Sequence, residues 1–317
     1  VVIDERFFEP FFLASDAPKQ LREAYTSFAA GKGGEARQKL SAFVEDNPKH
    51  EHVERARLLL AWLEREAGDH KAAAARFEAV AQGYPLLADH ARYWGAQEAF
   101  AAEDYDRAVR LCQGVGMGSS FGPRSKYLRG RALLRLGKHD EAIEVLEGFL
   151  EQFGGASYKG DVKLSLAVAY EKQGKVEQAA KLFHALRVAY PGKSLEKEAE
   201  DGIARLQKRL SADQKAKLLA WTPKDRVKRA EALYEVHRSE QVIEEMDKLL
   251  GSKVTQQGET VWCAATFLRA QAARKLRKHK DAGLFYGRFL DGCQRSEETV
   301  QALFSGARSL WTANEDE

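Results

Sequence analysis

Few residues in this chain are placed for chemistry. The densest set of metal-capable side chains is His50-Glu51-His52. It has no third ligand at helical spacing, so a solvated loop accounts for it better than a metal site. Gly31-Lys32-Gly33-Gly34 resembles a phosphate loop only in its glycines. It lacks the GxxxxGK[ST] spacing and follows a helical stretch, not a strand, so it reads as a turn. Gly114-Val115-Gly116-Met117-Gly118 does not fit GxGxxG and follows no strand either. No GxSxG is present, and no Cys–His pair can be placed by local sequence. A sugar-cleaving pair of carboxylates needs a set separation in space, which the 47 acidic residues do not reveal by their spacing. The sequence therefore predicts no catalytic residue, no metal and no cofactor.

The bulk numbers favour a helical chain. Of 317 residues, 44% are hydrophobic and 31% charged, with 7 prolines and long runs of Ala, Leu, Glu, Lys and Arg. That is enough chain for two domains or one long array. A net charge of +3 gives no case for a nucleic-acid partner. No apolar run approaches the ~20 residues that span a bilayer. Val1, not Met, opens the chain, which reads as a mature or trimmed form. Cys112, Cys263 and Cys293 have no CxxC spacing. Their odd number leaves at least one thiol free, and no disulfide scaffold is implied.

What the sequence does show is a repeated packing unit. Tyr127 to Gly155 reads as two short amphipathic helices joined by a tight turn. Leu133, Leu136, Leu146 and Phe149 fill the seam on helical spacing. Gly130 is expected where the helices approach, with Ala142 opposite it. Gly137 ends the first helix in the left-handed conformation, and Asp140 is expected to cap the second. The same small-residue pairs recur at Ala24/Ala36, Ala61/Ala73, Ala96/Ala108 and Ala167/Ala179. First-helix small positions fall at 24, 61, 96, 130 and 167, in steps of 37, 35, 34 and 37.

This layout resembles the tetratricopeptide repeat, a helix–turn–helix unit of about 34 residues. One unit cannot bury its own apolar face, so copies stack. The predicted fold is all-α: a tetratricopeptide-like α-solenoid, a right-handed superhelix of helix pairs. Residues 1–18, with Phe7, Phe8, Phe11 and Phe12 around Pro10, read as a cap over the open end of the array or, alternatively, as a segment that binds a partner. Residues 19–193 hold five repeats. Residues 194–223 read as charged linker helices with an Ile203, Leu206 and Leu210 stripe. Residues 224–317 carry further pairs, Ala230/Val242 and Ala270/Ala282, and a last first helix with Gly306 in its small position. No second helix follows it, which suggests that a parent protein continues.

First helices line the inner face of such superhelices, where extended ligands bind. Counting from the small residue places Tyr93 and Gln97 of the third repeat on that face, together with Phe100. The fourth repeat adds Arg124, Tyr127, Arg131 and Arg135; the late pair adds Phe267, Gln271 and Arg274. Arginine offers a planar fork for carboxylates or sugar hydroxyls, and aromatic rings an apolar face; the competing expectation is that the rings pack against neighbouring helices and the arginines are hydrated.

Three stretches carry a further resemblance. YPLLADHARYWGAQEAF from Tyr84, YEKQGKVEQAAKLFHALRVAYPGK from Tyr170 and KDRVKRAEALYEVHRSEQVIEEMDKLL from Lys224 are similar to the helical scaffold of soluble lytic murein transglycosylases. The resemblance implies a periplasmic protein of the bacterial cell envelope. Its ring would position peptidoglycan glycan strands for a lysozyme-like domain that uses a Glu-Ser motif. No Glu-Ser dipeptide occurs here, so this chain would be the scaffold without the enzyme. The competing expectation is an adaptor that binds an envelope protein or peptide. Periplasmic tetratricopeptide proteins of envelope assembly also end repeats in Tyr-Pro, as at Tyr84-Pro85 and Tyr190-Pro191.

Overall fold

The computed structural model describes residues 12, 17–293 and 296–315. Among them every regular element is helical: α1 Lys19–Ala29, α2 Gly33–Asp46, α3 Val53–Glu66, α4 His70–Gly83, α5 Ala88–Ala101, α6 Tyr105–Gln113, α7 Gly122–Arg135, α8 His139–Phe153 and α9 Lys159–Gln173. There follow α10 Val176–Ala189, α11 Ser194–Leu206, α12 Ala212–Leu218, α13 Pro223–Glu235, α14 Ser239–Leu250, α15 Thr260–Lys275, α16 His279–Gly292 and α17 Glu297–Glu315. Single turns of 3-10 helix lie at Pro85–Leu87 and Gln207–Arg209. The chain divides into two compact units, Val1–Ala169 and Tyr170–Glu317. Of the expected N-terminal cap only Phe12, Ala17 and Pro18 fall among the described residues; Phe12 is fully buried in the first unit's core.

The turn inside each helix pair follows one rule. In the α7–α8 turn Gly137 has φ +75°, and the amides of Gly137 and Lys138 donate to the carbonyls of Leu134 and Leu133. That wraps the last carbonyls of α7 in a Schellman motif and reverses the chain without exposing apolar surface. The same long amide-to-carbonyl bond recurs from Lys32 to Ser27, Asp69 to Glu64, Asp104 to Ala99, Lys175 to Tyr170, Arg238 to Leu233 and Lys278 to Ala273. In three of these turns a larger residue, Glu103, His237 or Arg277, holds the left-handed conformation at φ 58–61°. The hydrogen-bonded turn outweighs the local strain there. Asp69 and Asp104 cap α4 and α6 by accepting from Ala72 and Arg107 amides. Asp140 does not cap α8: Lys138 holds the cap position, and Asp140 lies within the first turn, where it still favours the positive helix end.

The close approach at Gly130 also differs from expectation. A Cβ there would lie 2.5 Å from Leu146 Cδ2, so the large Leu146, not Ala142, occupies the space glycine leaves. One residue earlier in the register, glycines accept rings from the preceding helix. A Cβ at Gly95 would meet Phe77, at Gly202 the Phe183 ring, and at Gly306 Tyr286 Cβ at 3.0 Å. Gly306 therefore matches Gly95, and the residue equivalent to Ala96 is Ala307. The sequence register of α17 shifts by one.

The first unit's core is built from Leu21, Leu40, Phe43, Leu59 and Phe77 of α1–α4, all essentially without solvent contact. Its buried carboxylates are paired: Glu64 with Arg76 at 2.7 Å, and Glu98 with Arg65 at 3.0 Å and His70 at 2.7 Å. In the second unit α11 buries Leu195, Ala199, Ile203 and Leu206, and Leu210 beyond it is buried too. The 194–223 stretch thus contains a helix packed on α10 as a repeat's first helix packs on its predecessor. Ser211 and Thr222 form capping boxes with Gln214 and Asp225. Trp221 lies beneath two guanidinium groups, Arg187 at 4.9 Å and Arg229 at 5.5 Å.

The cysteines yield a bond that their spacing hides. Cys263 of α15 and Cys293, just after α16, form a disulfide. Cys112 is free and buried, and burial pushes its thiol up to about 12. It is a packing residue rather than a nucleophile.

A candidate peptide groove in the first unit

The positions expected to form a ligand face divide into three groups. Tyr93, Arg124 and Tyr127 gather around one groove. Arg131 and Arg135 are exposed but rest on rings of their own unit: Arg131 over Phe100 at 4.8 Å and Tyr127 at 5.8 Å, Arg135 over Tyr105 at 5.2 Å. Gln97 is half-buried on α5. In the second unit Phe267 and Gln271 line a cavity of about 520 Å³ beside the disulfide, while Arg274 is exposed and does not line it.

The groove in the first unit is the larger, at about 960 Å³. Its walls come from Trp62 on α3, Trp94 on α5, Phe121 and Arg124 at the start of α7, and Phe153 and Tyr158 around the end of α8. Each ring is held by another. Trp62 meets Trp94 edge-on at 5.9 Å, and Trp94 meets Phe121 at 6.2 Å. Tyr93 stacks on Phe121 with centroids 4.8 Å apart, and Tyr127 lies 5.8 Å from Tyr158. Trp62 Nε1 donates to Glu66 at 3.0 Å, which fixes the indole. Rings braced in this way lose little entropy when a ligand covers them.

Among the described residues Arg124 is the one charged residue of the groove lining; nearby, Arg65 is paired with Glu98 at 3.0 Å and Glu66 holds the Trp62 indole. Arg124 is exposed on its wall, Arg65 lies 5.1 Å above the Trp62 ring, and Lys126 donates to Gln152 of the wall at 2.9 Å. Burial lowers the Lys126 ammonium from its ordinary value. Burial also raises the Tyr93 and Tyr158 hydroxyls, against the pull of Arg124. Both phenols are therefore neutral at physiological pH and free to donate.

Counting from small residues on first helices finds Tyr93, Arg124 and Tyr127 but misses Trp62, Trp94, Phe121 and Tyr158. Phe121 closes the glycine-rich 114–121 loop and Tyr158 sits in the turn before α9, so neither has a helical position to count from. The loop is shaped by Asp89, which accepts from the Gly116 amide.

The His50-Glu51-His52 cluster is local packing: His50 Nδ1 accepts from the His52 amide at 3.1 Å, and the His50 ring meets Phe43 at 5.3 Å. Among the described residues no group of three or more His, Cys, Asp or Glu could hold a metal ion, and no helix is long and apolar enough to cross a membrane.

Family comparisons fit the helix pairs. Residues 127–194 and 55–86 match tetratricopeptide-repeat families, and residues 71–149 match the anaphase-promoting complex, cyclosome, subunit 3 family. No curated protein is significantly similar in sequence. Solved structures similar to the chain include a tetratricopeptide repeat protein from Parabacteroides merdae, at 12% identity and a TM-score of 0.42, over 91% of this chain and 98% of that one. Another is the apo quorum sensor NprR from B. thuringiensis, at 15% identity and a TM-score of 0.33, over 90% and 78% of the two chains. The resemblance to transglycosylase scaffolds gains no support from these matches. On its repeated helix pairs and these family matches, the chain is a tetratricopeptide-repeat protein with a helical solenoid fold.

Proposed function

We propose that this protein is a non-catalytic adaptor whose first unit holds an extended segment of a partner protein. The observation that carries this is the groove walled by Trp62, Trp94, Phe121 and Tyr158 with Arg124 exposed at its edge. Braced aromatic walls suit apolar side chains, and the exposed Arg124 guanidinium suits a carboxylate beside them. The ligand class is therefore an extended peptide with alternating apolar and acidic residues. Selection from a random displayed-peptide library tests it, with hydrogen exchange to locate the bound peptide. The expected result is enrichment of acidic–apolar sequences and protection at 120–126 and 152–158. Enrichment of basic sequences, or protection only elsewhere, would refute the groove.

The disulfide supports a working site in an oxidising compartment, since such bonds persist there and are rare in the reducing cytosol. That agrees with the periplasmic expectation. Cell-wall glycan is the second ligand class, because sugar rings also stack on aromatic faces; its support is the sequence resemblance alone. Retention on purified sacculi at low salt, reversed by Trp62→Ala, is the outcome that would favour it over peptide.

A further inference from the structure

We infer that the cavity of the second unit is a binding site for a cationic amine or guanidinium carried on an apolar body. At about 520 Å³ it falls within the ~300–1,000 Å³ range of small-ligand sites. Its floor is apolar: Phe267, Leu268 and Phe289 line it and are themselves buried, with the Phe267 and Phe289 rings 5.1 Å apart. Its exposed rim carries Glu231 from α13 and Glu298 from the first turn of α17. Among the described residues these two are the only charged groups of the lining.

The two carboxylates lack what other acids of the unit have. Asp247 and Asp281 share Arg269, Glu245 pairs with Arg226, and Glu196 pairs with Arg229. Among the described residues no cation pairs with Glu231 or Glu298. Hydrogen bonds from the Ser296 side chain and the Glu298 amide hold the Glu298 carboxyl below its usual range, so it is ionised at neutral pH. A neutral or anionic occupant would cover ionised groups without pairing them, which is unfavourable. A cation above the apolar floor is stabilised both by the carboxylates and by the electron-rich face of a phenylalanine ring. A bare metal ion fits less well: the two carboxylates stand on different helices, and among the described residues no group of three or more metal-capable side chains gathers.

The walls are set before a ligand arrives. The Cys263–Cys293 disulfide, part of the lining, ties α15 to the segment after α16. Gly258 stands at φ +88°, and a Cβ there would lie 3.1 Å from the Gly292 carbonyl oxygen. The buried Thr255 hydroxyl donates to the Leu249 carbonyl at 3.3 Å and anchors the same loop to α14. A pocket held in this way needs little ordering on binding. The site is separate from the first unit's groove and prefers the opposite charge, so either can fail without the other.

Calorimetric titration of the intact chain tests this with three probes of one shape: phenethylamine, the neutral 2-phenylethanol and the anionic 3-phenylpropionate. The amine is expected to bind about 5–20-fold more tightly than the alcohol, and the acid not at all. Glu231→Gln and Glu298→Gln should each weaken the amine about 3-fold and together abolish its advantage over the alcohol. Both positions are exposed, so the fold is kept. Glu240→Gln, the same charge change at an exposed position of α14 outside the lining, leaves the preference intact. Acetyl-phenylalanyl-arginine amide separates two sources of the ligand: tighter binding than the amine marks a basic peptide segment and weaker binding a free small amine, and both orders support the site. An alcohol that binds as tightly as the amine, a preference that survives the double replacement, or an amine that does not bind at tens of millimolar overturns the inference.

Discussion

Replacing Gly130 by alanine sets two effects of opposite sign against each other. In the middle of α7, alanine should favour the helix over glycine by about 1 kcal/mol. The new Cβ, however, would stand 2.5 Å from Leu146 Cδ2 and 2.8 Å from its Cγ. Leu146 is fully buried in the first unit, so it has no empty space to swing into. Overpacking of this kind costs about 1–3 kcal/mol. Gly130→Ala is therefore expected to destabilise by about 1 kcal/mol net, despite its better helix propensity. Leu146→Ala alone should cost about 2–5 kcal/mol through the cavity it leaves. The double variant should be more stable than the two losses added together, because the methyl introduced at position 130 enters the vacated space. A favourable coupling of about 1–2 kcal/mol is expected from the cycle. Urea titration followed by circular dichroism reads all four proteins, provided the slope is unchanged. If Gly130→Ala stabilised the chain by about 1 kcal/mol, the full helix-propensity gain, and showed no coupling to Leu146, the assigned helix approach would be wrong.

Two further outcomes test the second unit. Burial opposes ionisation of Asp225, but hydrogen bonds from Thr222 and His184 prevail and hold its carboxyl below the usual range. The stabilisation from Asp225 is then present above the unfolded value of about 4 and is lost as pH falls through the folded value. Asp225→Asn should flatten the urea midpoint between pH 6 and pH 3, and an unchanged pH profile would contradict this. Reducing the Cys263–Cys293 bond, which spans 30 positions, should cost about 2–4 kcal/mol; a midpoint unmoved by reductant would contradict it.

The helix pairs were legible because each is written locally. A turn residue, a small residue and a large residue four positions on all lie within one short stretch. The site was legible only where it used those helices. Tyr93 and Arg124 follow from the repeat register, whereas Phe121 and Tyr158 are delivered by loops whose path depends on tertiary contacts such as Asp89 to Gly116. The Cys263–Cys293 pair was hidden for the same reason: residues far apart in sequence meet only because α15 and α16 pack antiparallel. Gly306 misled by one position because Ala307 beside it is also small, and only the contact with Tyr286 decides between them.

The claim that the groove is a peptide site is tested most directly by the affinity of one selected acidic peptide for wild type and for Arg124→Glu. Arg124 is exposed, so its replacement spares the fold. A loss of about 10–100-fold, the worth of one charge-assisted hydrogen bond, with a weaker salt dependence, is the predicted result. Equal affinity of the two proteins would contradict it.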